Sequence, residues 1–142
     1  MKKKSVVIGG TSGIGFETAC YLRDSGYDVI IGGRSKCEEE EGITCEYIDV
    51  TKEDSIEQFF SSINVGLLDS LIYSAGVTTK RRSIEAFDVS NYLKLHDVNL
   101  LGAILTLKHA YPLLKKAKGK VVVVNSFASR AYSQFSGFEY TI

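Results

Sequence analysis

The amino-acid sequence predicts an α/β fold built as a doubly wound parallel sheet, and three observations lead to this prediction. Short apolar segments alternate with segments that repeat apolar residues at helical spacing. The apolar segments are hydrophobic at nearly every position, which is typical of strands covered on both faces. A glycine-rich turn follows the first of them. Strand–helix alternation of this kind gives a parallel sheet with right-handed crossovers.

The first half of the chain supplies three strands and two helices. The strand Ser5–Gly9 is followed by a helix over Ile14–Ser25, which Gly26 ends, and by a Val-Ile-Ile strand over Asp28–Gly33. A short acidic connection, a third strand and an amphipathic helix come next, over Ser35–Gly42, Thr44–Val50 and Lys52–Ile63.

The second half begins with a fourth strand, Leu68–Ser74, and ends with a fifth, Lys120–Ser126. Between them we predict a helical segment over Asn91–Asp97 and a long helix over Val98–Lys118. The long helix is apolar nearly all round, so one face packs on the sheet and the other needs cover from another subunit. We therefore expect a homo-oligomer.

Length and composition limit the possible partners. The chain has 142 residues, of which 44% are hydrophobic and 24% charged, as in an ordinary soluble domain. Seventeen basic residues balance seventeen acidic ones, so neither nucleic acid nor a membrane is an expected partner. Cys20, Cys37 and Cys45 match no metal or redox spacing; we predict free thiols in a reducing cytoplasm, and no metal site.

The turn after the first strand has glycines where a phosphate-binding turn needs them. Gly9 permits the tight turn, Gly13 lets the backbone approach a pyrophosphate, and Gly15 lets the helix lie close to the sheet. The helix N-terminus offers free N–H groups and a positive dipole end to phosphates. The side chains expected to line the ligand here are Thr11, Ser12 and Ile14. The sequence thus predicts a Rossmann-type dinucleotide site.

The end of the second strand indicates which dinucleotide is bound. NAD sites usually carry an acidic residue here for the ribose hydroxyls, but this chain has Gly33 followed by Arg34. An arginine can hold a 2′-phosphate through two charge-assisted bonds, so NADP(H) is favoured over NAD(H). The alternative is that Arg34 is a solvated charge paired with the acidic run Glu38–Glu41.

These motifs, in this order, resemble the amino-terminal part of the short-chain dehydrogenases/reductases. The family's T-G-x-x-x-G-x-G motif corresponds to Ile8–Gly15, with Ile8 in place of threonine. Its Asp-Val pair after strand three, which contacts the adenine, corresponds to Asp49-Val50. Its Asn-Asn-Ala-Gly motif appears as Tyr73-Ser74-Ala75-Gly76, in which both asparagines are replaced. The resemblance implies that Ser74, Ala75 and Gly76 lie beside the cofactor.

Three further positions correspond to the family's catalytic groups. Asn99 matches the structural and proton-relay asparagine, and Ser126 matches the serine that holds the substrate oxygen. Tyr140 matches the tyrosine of a Tyr-x-x-x-Lys motif, one residue later than the commonest spacing. A phenol ordinarily has a pKa of about 10, and the lysine of that motif lowers it through its charge. The sequence ends at Ile142, two residues before the place of that lysine.

The resemblance implies one NAD(P)-binding domain over residues 1–142, with a sheet incomplete at its C-terminal side and truncated before the lysine. It implies an NADP(H)-dependent oxidoreductase that interconverts a small carbonyl and an alcohol, although we expect the chain by itself to be inactive. The alternative is a catalytically silent dinucleotide-binding protein, either a sensor or a degenerate relative. Taken alone, Ser126 could be a strand-end hydroxyl and Tyr140 a core or surface aromatic.

Overall fold

The computed structural model describes residues 2–35, 41–80, 83–130 and 137–141. Within them, five parallel strands form one sheet in the order β3-β2-β1-β4-β5. The strands are β1 (Lys4–Ile8), β2 (Asp28–Gly33), β3 (Ile43–Tyr47), β4 (Ser70–Tyr73) and β5 (Lys120–Val123). The chain runs outward from β1 to β3, then crosses back to add β4 and β5 on the other side. The predicted doubly wound parallel sheet is thus confirmed.

Helices lie between β1 and β2, between β3 and β4 and between β4 and β5, as the alternation predicted, and a short helix follows β5. They are α1 (Gly13–Asp24), α2 (Glu53–Ser62), α3 (Val89–His96), α4 (Gly102–Ala117) and the short α5 (Phe138–Thr141). Two 3-10 turns cover Ile84–Ala86 and Phe127–Ser129. A π-helical turn, Asp97–Leu101, joins α3 to α4. The helix predicted from Val98 therefore begins in this turn, and regular α-helix starts only at Gly102.

The core lies on both faces of the central strands. Val6 and Ile8 of β1 belong to one buried cluster and Val7 to the other, because successive side chains of a strand point to opposite faces. The expectation that every strand is covered on both faces is wrong for β3 and β5. These two are the outer strands of the described sheet, and all four residues of β5 are exposed.

The cysteine prediction holds for one residue and fails for another. Cys20 is a free thiol, but Cys45 is disulfide-bonded, and Cys37 lies outside the described residues. Sequence spacing missed this bond because a disulfide depends on proximity in space. The cytoplasmic location stays a prediction.

Across the described ranges, no helix has the length and apolarity needed to cross a membrane. The same part of the chain contains no cluster of three His, Cys, Asp or Glu side chains that could hold a metal ion.

Candidate functional site

The turn between β1 and α1 contains glycines at positions where no side chain could fit. Gly9 has φ +79°, and a Cβ on it would lie 2.4 Å from the backbone nitrogen of Ala75, which follows β4. A Cβ on Gly15 would lie 2.1 Å from the carbonyl oxygen of Gly9. The two glycines therefore bring α1, the turn and the end of β4 into close contact.

The N-terminus of α1 is open to a ligand. Ser12 occupies the N-cap position, but its side chain makes no capping hydrogen bond, and the first turn carries no acidic residue. Gly13 has φ +55°, and a Cβ there would meet nothing within 4 Å. An uncapped helix N-terminus with open space in front of it suits an anion such as a phosphate, because its N–H groups and dipole favour negative charge.

A cleft of about 390 Å³ runs along the carboxyl ends of the strands from this turn. We name it the first cleft. Every residue predicted for cofactor binding lines it except Gly13 and Gly15: Gly9, Thr11, Ser12, Ile14, Gly33, Arg34, Asp49, Val50, Ser74, Ala75 and Gly76. A ligand crevice at this edge, where the strand order reverses, is the usual arrangement in open parallel sheets.

One end of the first cleft carries both charges that the sequence analysis singled out. Arg34 is exposed after β2, and Asp49 follows β3, with the hydroxyl and N–H of Thr51 donating to its Oδ1 at 2.7 and 3.1 Å. Burial alone would raise the pKa of Asp49. The Thr51 hydrogen bonds, with the charges of Lys52 and Arg34, outweigh burial and lower the pKa below its ordinary value. Asp49 is therefore an ionised acceptor close to a cation.

A second cleft, of about 430 Å³, adjoins the first, and both are lined by Ala75, Gly76 and Val124. The second cleft contains the three residues predicted to be catalytic, namely Asn99, Ser126 and Tyr140. They come from the π-helical turn, from the segment after β5 and from α5. The structure thus brings together side chains that are far apart in sequence.

The carboxamide of Asn99 is committed to the chain that follows β4. Its Oδ1 accepts from the N–H of Val77 at 2.8 Å, and its Nδ2 donates to the carbonyl of Val77 at 2.9 Å. Both polar groups of one backbone residue are thereby satisfied by one side chain. Asn99 therefore fixes the position of the loop that follows β4, which borders the two clefts.

Ser126 and Tyr140 are half-buried in the second cleft. The Oγ of Ser126 accepts from the N–H of Ala128 at 3.2 Å, which starts the 3-10 turn. Tyr140 lies on α5 beside Glu139, whose Oε1 accepts from the N–H of Asp88 at 3.2 Å, at the N-cap of α3. Glu139 is buried, so this bond attaches α5 to α3.

The sequence analysis missed several residues of the site. Thr51 and Val77 line the first cleft, and Asn125 lines the second. Thr51 had a local signal, since a hydroxyl two residues after Asp49 can hydrogen-bond to its carboxylate. Val77 had none, because its role is to offer its backbone to Asn99.

Comparison with known proteins agrees with this geometry. The family model described as short chain dehydrogenase matches residues 3–141. The chain is 30% identical, over 97% of its length, to the L-fucose dehydrogenase of Oryctolagus cuniculus. It is 34% identical, over 90% of its length, to an uncharacterized oxidoreductase of Schizosaccharomyces pombe. These matches cover 51% and 55% of the two relatives, so the chain spans about half their length.

Solved structures have the same fold. The ligand-free aldohexose dehydrogenase of Thermoplasma acidophilum superposes with a TM-score of 0.90 at 24% identity, over 99% of this chain and 55% of that one. ElxO with NADP bound superposes with a TM-score of 0.88 at 25% identity, over 99% of this chain and 62% of that one. The NADH-dependent reductase A1-R′ complexed with NAD superposes with a TM-score of 0.88 at 24% identity, over 99% of this chain and 66% of that one. With a family model that matches nearly all of its length, the chain belongs to the short-chain dehydrogenase family.

Proposed function

We propose that the protein is an NADP(H)-dependent oxidoreductase that interconverts a carbonyl and an alcohol by hydride transfer. The observation that carries this proposal is that the two clefts meet at Ala75 and Gly76. The first cleft begins at an uncapped helix N-terminus, as a pyrophosphate requires. The second contains a hydroxyl and a phenol. A cofactor in the first cleft would therefore border the groups that handle the substrate oxygen.

The residues present fit a nicotinamide dinucleotide. The turn Gly9–Gly15 would hold the pyrophosphate, and Asp49 would accept from the adenine. When bound, the cofactor supplies the hydride chemistry, and the chain supplies orientation and a proton. Ser126 would hold the substrate oxygen. The phenol of Tyr140 would donate a proton to that oxygen during reduction and take one during oxidation.

Three observations support NADP(H) over NAD(H). Gly33 places no acidic side chain at the end of β2, and the neighbouring Arg34 is exposed at the first cleft. Thr11 fills the space beside Gly33. A guanidinium at this place can hold a 2′-phosphate through two bonds, whereas an acidic side chain would repel it.

We also propose that the protein is a homo-oligomer in the cytoplasm. The π-helical turn and α4 expose large apolar side chains, each between 41% and 56% accessible: Leu100, Leu101, Ile104 and Tyr111. Leu100 and Ile104 also line the second cleft. An apolar surface of this kind is typical of a protein–protein interface.

The proposed activity can be tested with the purified full-length protein. It would be incubated with NADPH or NADH and a panel of small aldehydes and ketones, and with NADP⁺ or NAD⁺ and the matching alcohols, while the absorbance of the reduced nicotinamide is followed. We expect turnover of at least one pair, faster with the phosphorylated cofactor. Tight cofactor binding without turnover of any pair would instead favour the silent binding protein.

A further inference from the structure

Tyr73, the last residue of β4, makes a hydrogen bond that links the sheet to the π-helical turn. The residue is only 2% exposed, and its hydroxyl donates to the carbonyl oxygen of Val98. A buried phenol needs such a partner, since an unsatisfied hydroxyl is costly. Burial raises the pKa of Tyr73 well above its ordinary value, so the hydroxyl remains a donor even in mildly alkaline solution.

The π-helical turn makes the Val98 carbonyl available. The N–H of Gly102 donates to the carbonyl of Asp97, five residues earlier, instead of to that of Val98, four residues earlier. Gly102 also leaves room for the phenol, because a Cβ on it would lie 2.7 Å from the Tyr73 hydroxyl oxygen. Tyr73 thus satisfies the carbonyl that the irregular turn releases.

Two adjacent residues of this turn hold the two ends of one short segment. Val98 is bonded to Tyr73, and Asn99 is bonded to both backbone groups of Val77. Between these attachments lies the wall segment Ser74–Gly76, all of which lines the first cleft. The position of the wall therefore depends on both attachments.

We propose that Tyr73 is a positioning residue, which sets the wall segment Ser74–Gly76 against the cofactor through its hydrogen bond to Val98. The role rests on the proposed function, because the wall matters only if a dinucleotide lies in the first cleft. Tyr73 lines neither cleft. Loss of the Tyr73 hydroxyl should weaken cofactor binding more than it slows the chemical step, because Ser126 and Tyr140 are held by other elements.

The test compares Tyr73→Phe with Ile72→Val in the full-length protein. Ile72 is buried on the same strand but belongs to the other core cluster, so its shortening lowers stability without touching the turn. In Tyr73→Phe we expect NADPH to bind roughly tenfold more weakly, with KM raised and kcat within about threefold. We also expect faster hydrogen exchange at the Val77 amide. Ile72→Val should show neither change.

Gly102→Ala provides a second variant in case Tyr73→Phe folds poorly. Its added methyl would lie 2.7 Å from the Tyr73 hydroxyl oxygen and 3.0 Å from Val50 of the first cleft, so it should weaken NADPH binding. The part of this effect that acts through Tyr73 should disappear when Tyr73 is already phenylalanine. Unchanged NADPH affinity and unchanged Val77 exchange in both single variants would overturn the role of Tyr73. Failure of the unmodified protein to bind either cofactor would overturn the proposed function, while Val77 exchange would still report on the Tyr73 attachment.

Discussion

Thr11 occupies the space in which a side chain at position 33 would stand. A Cβ built on Gly33 would lie 2.5 Å from the Cγ2 and 2.9 Å from the Oγ1 of Thr11. The acidic residue that NAD sites usually carry at the end of β2 could enter here only if Thr11 moved. The choice between the two cofactors is therefore connected to packing inside the glycine turn.

Replacing Arg34 should change cofactor preference more than overall affinity. We expect Arg34→Ala to lower the affinity for NADPH roughly 10- to 100-fold, because it removes bonds made only to the 2′-phosphate. The affinity for NADH should stay within about twofold of its original value. Nicotinamide fluorescence titrations with both cofactors measure this. The exposed Arg130→Ala serves as the control for loss of one positive charge. Equal weakening of both cofactors by Arg34→Ala would contradict the assignment.

Gly13→Val should abolish cofactor binding while the sheet remains formed. Gly13 has φ +55° and faces open space, so a branched side chain would both strain the backbone and stand in front of the α1 N-terminus. Gly26→Val is a matched control: Gly26 has φ +87° and equally open surroundings, but it lies about 18 Å away, beyond the other end of α1. Titration with NADPH measures cofactor binding by both variants, and circular dichroism checks that their sheet is formed. Equal NADPH binding by the two would show that the turn is not the phosphate site.

Tyr140→Phe should lower kcat by about 10²- to 10⁴-fold, the usual contribution of a general acid or base. Ser126→Ala should cost a similar or smaller factor, since it removes a bond to the substrate oxygen. Neither should change NADPH affinity by more than about twofold. Steady-state kinetics of these variants test this prediction. Tyr111→Phe, which alters an exposed tyrosine, is the control. Turnover by Tyr140→Phe at the rate of the unmodified protein would remove Tyr140 from the mechanism.

The buried phenol of Tyr73 predicts a loss of stability in alkali. Its folded-state pKa lies far above the ordinary value of 10.0 because burial disfavours the phenolate. Above pH 10 the unfolded chain therefore binds fewer protons than the folded one, and stability falls by up to about 1.4 kcal/mol per pH unit. Urea unfolding between pH 8 and pH 11 should show a steeper alkaline fall for the unmodified protein than for Tyr73→Phe. Parallel curves would contradict this prediction.

Much of the fold could be predicted because hydrophobic pattern and glycine placement reflect local physics. β2 was predicted with the bounds that it has, and eleven residues of the first cleft followed from the glycine turn, the end of β2 and the family resemblance. The π-helical turn could not be predicted, because Val98 and Asn99 fit a regular helical period as well as an irregular one. The exposure of β5 was also missed, since its three valines, with Val124 directly after them, resemble a central strand.

The contacts made by Tyr73 show a second limit of sequence reasoning. A tyrosine in place of the expected asparagine appeared only as a departure from the family motif. Its partner, the Val98 carbonyl, lies 25 residues away and is a backbone group, which leaves no mark in side-chain identity. Such a bond depends on how α3 and α4 join, and only the folded structure shows it.

The position of β1 in the middle of the sheet has a consequence for folding. Ser5 of β1 lies opposite Val29 on one side and Ser70 on the other, so the second neighbour arrives only after 65 residues. Closing so long a loop costs chain entropy before the new contacts compensate, which slows parallel pairing. During synthesis the edge of β1 that receives β4 stays open for a time on the order of seconds. This interval is when the nascent chain is most exposed to aggregation through an unpaired apolar strand.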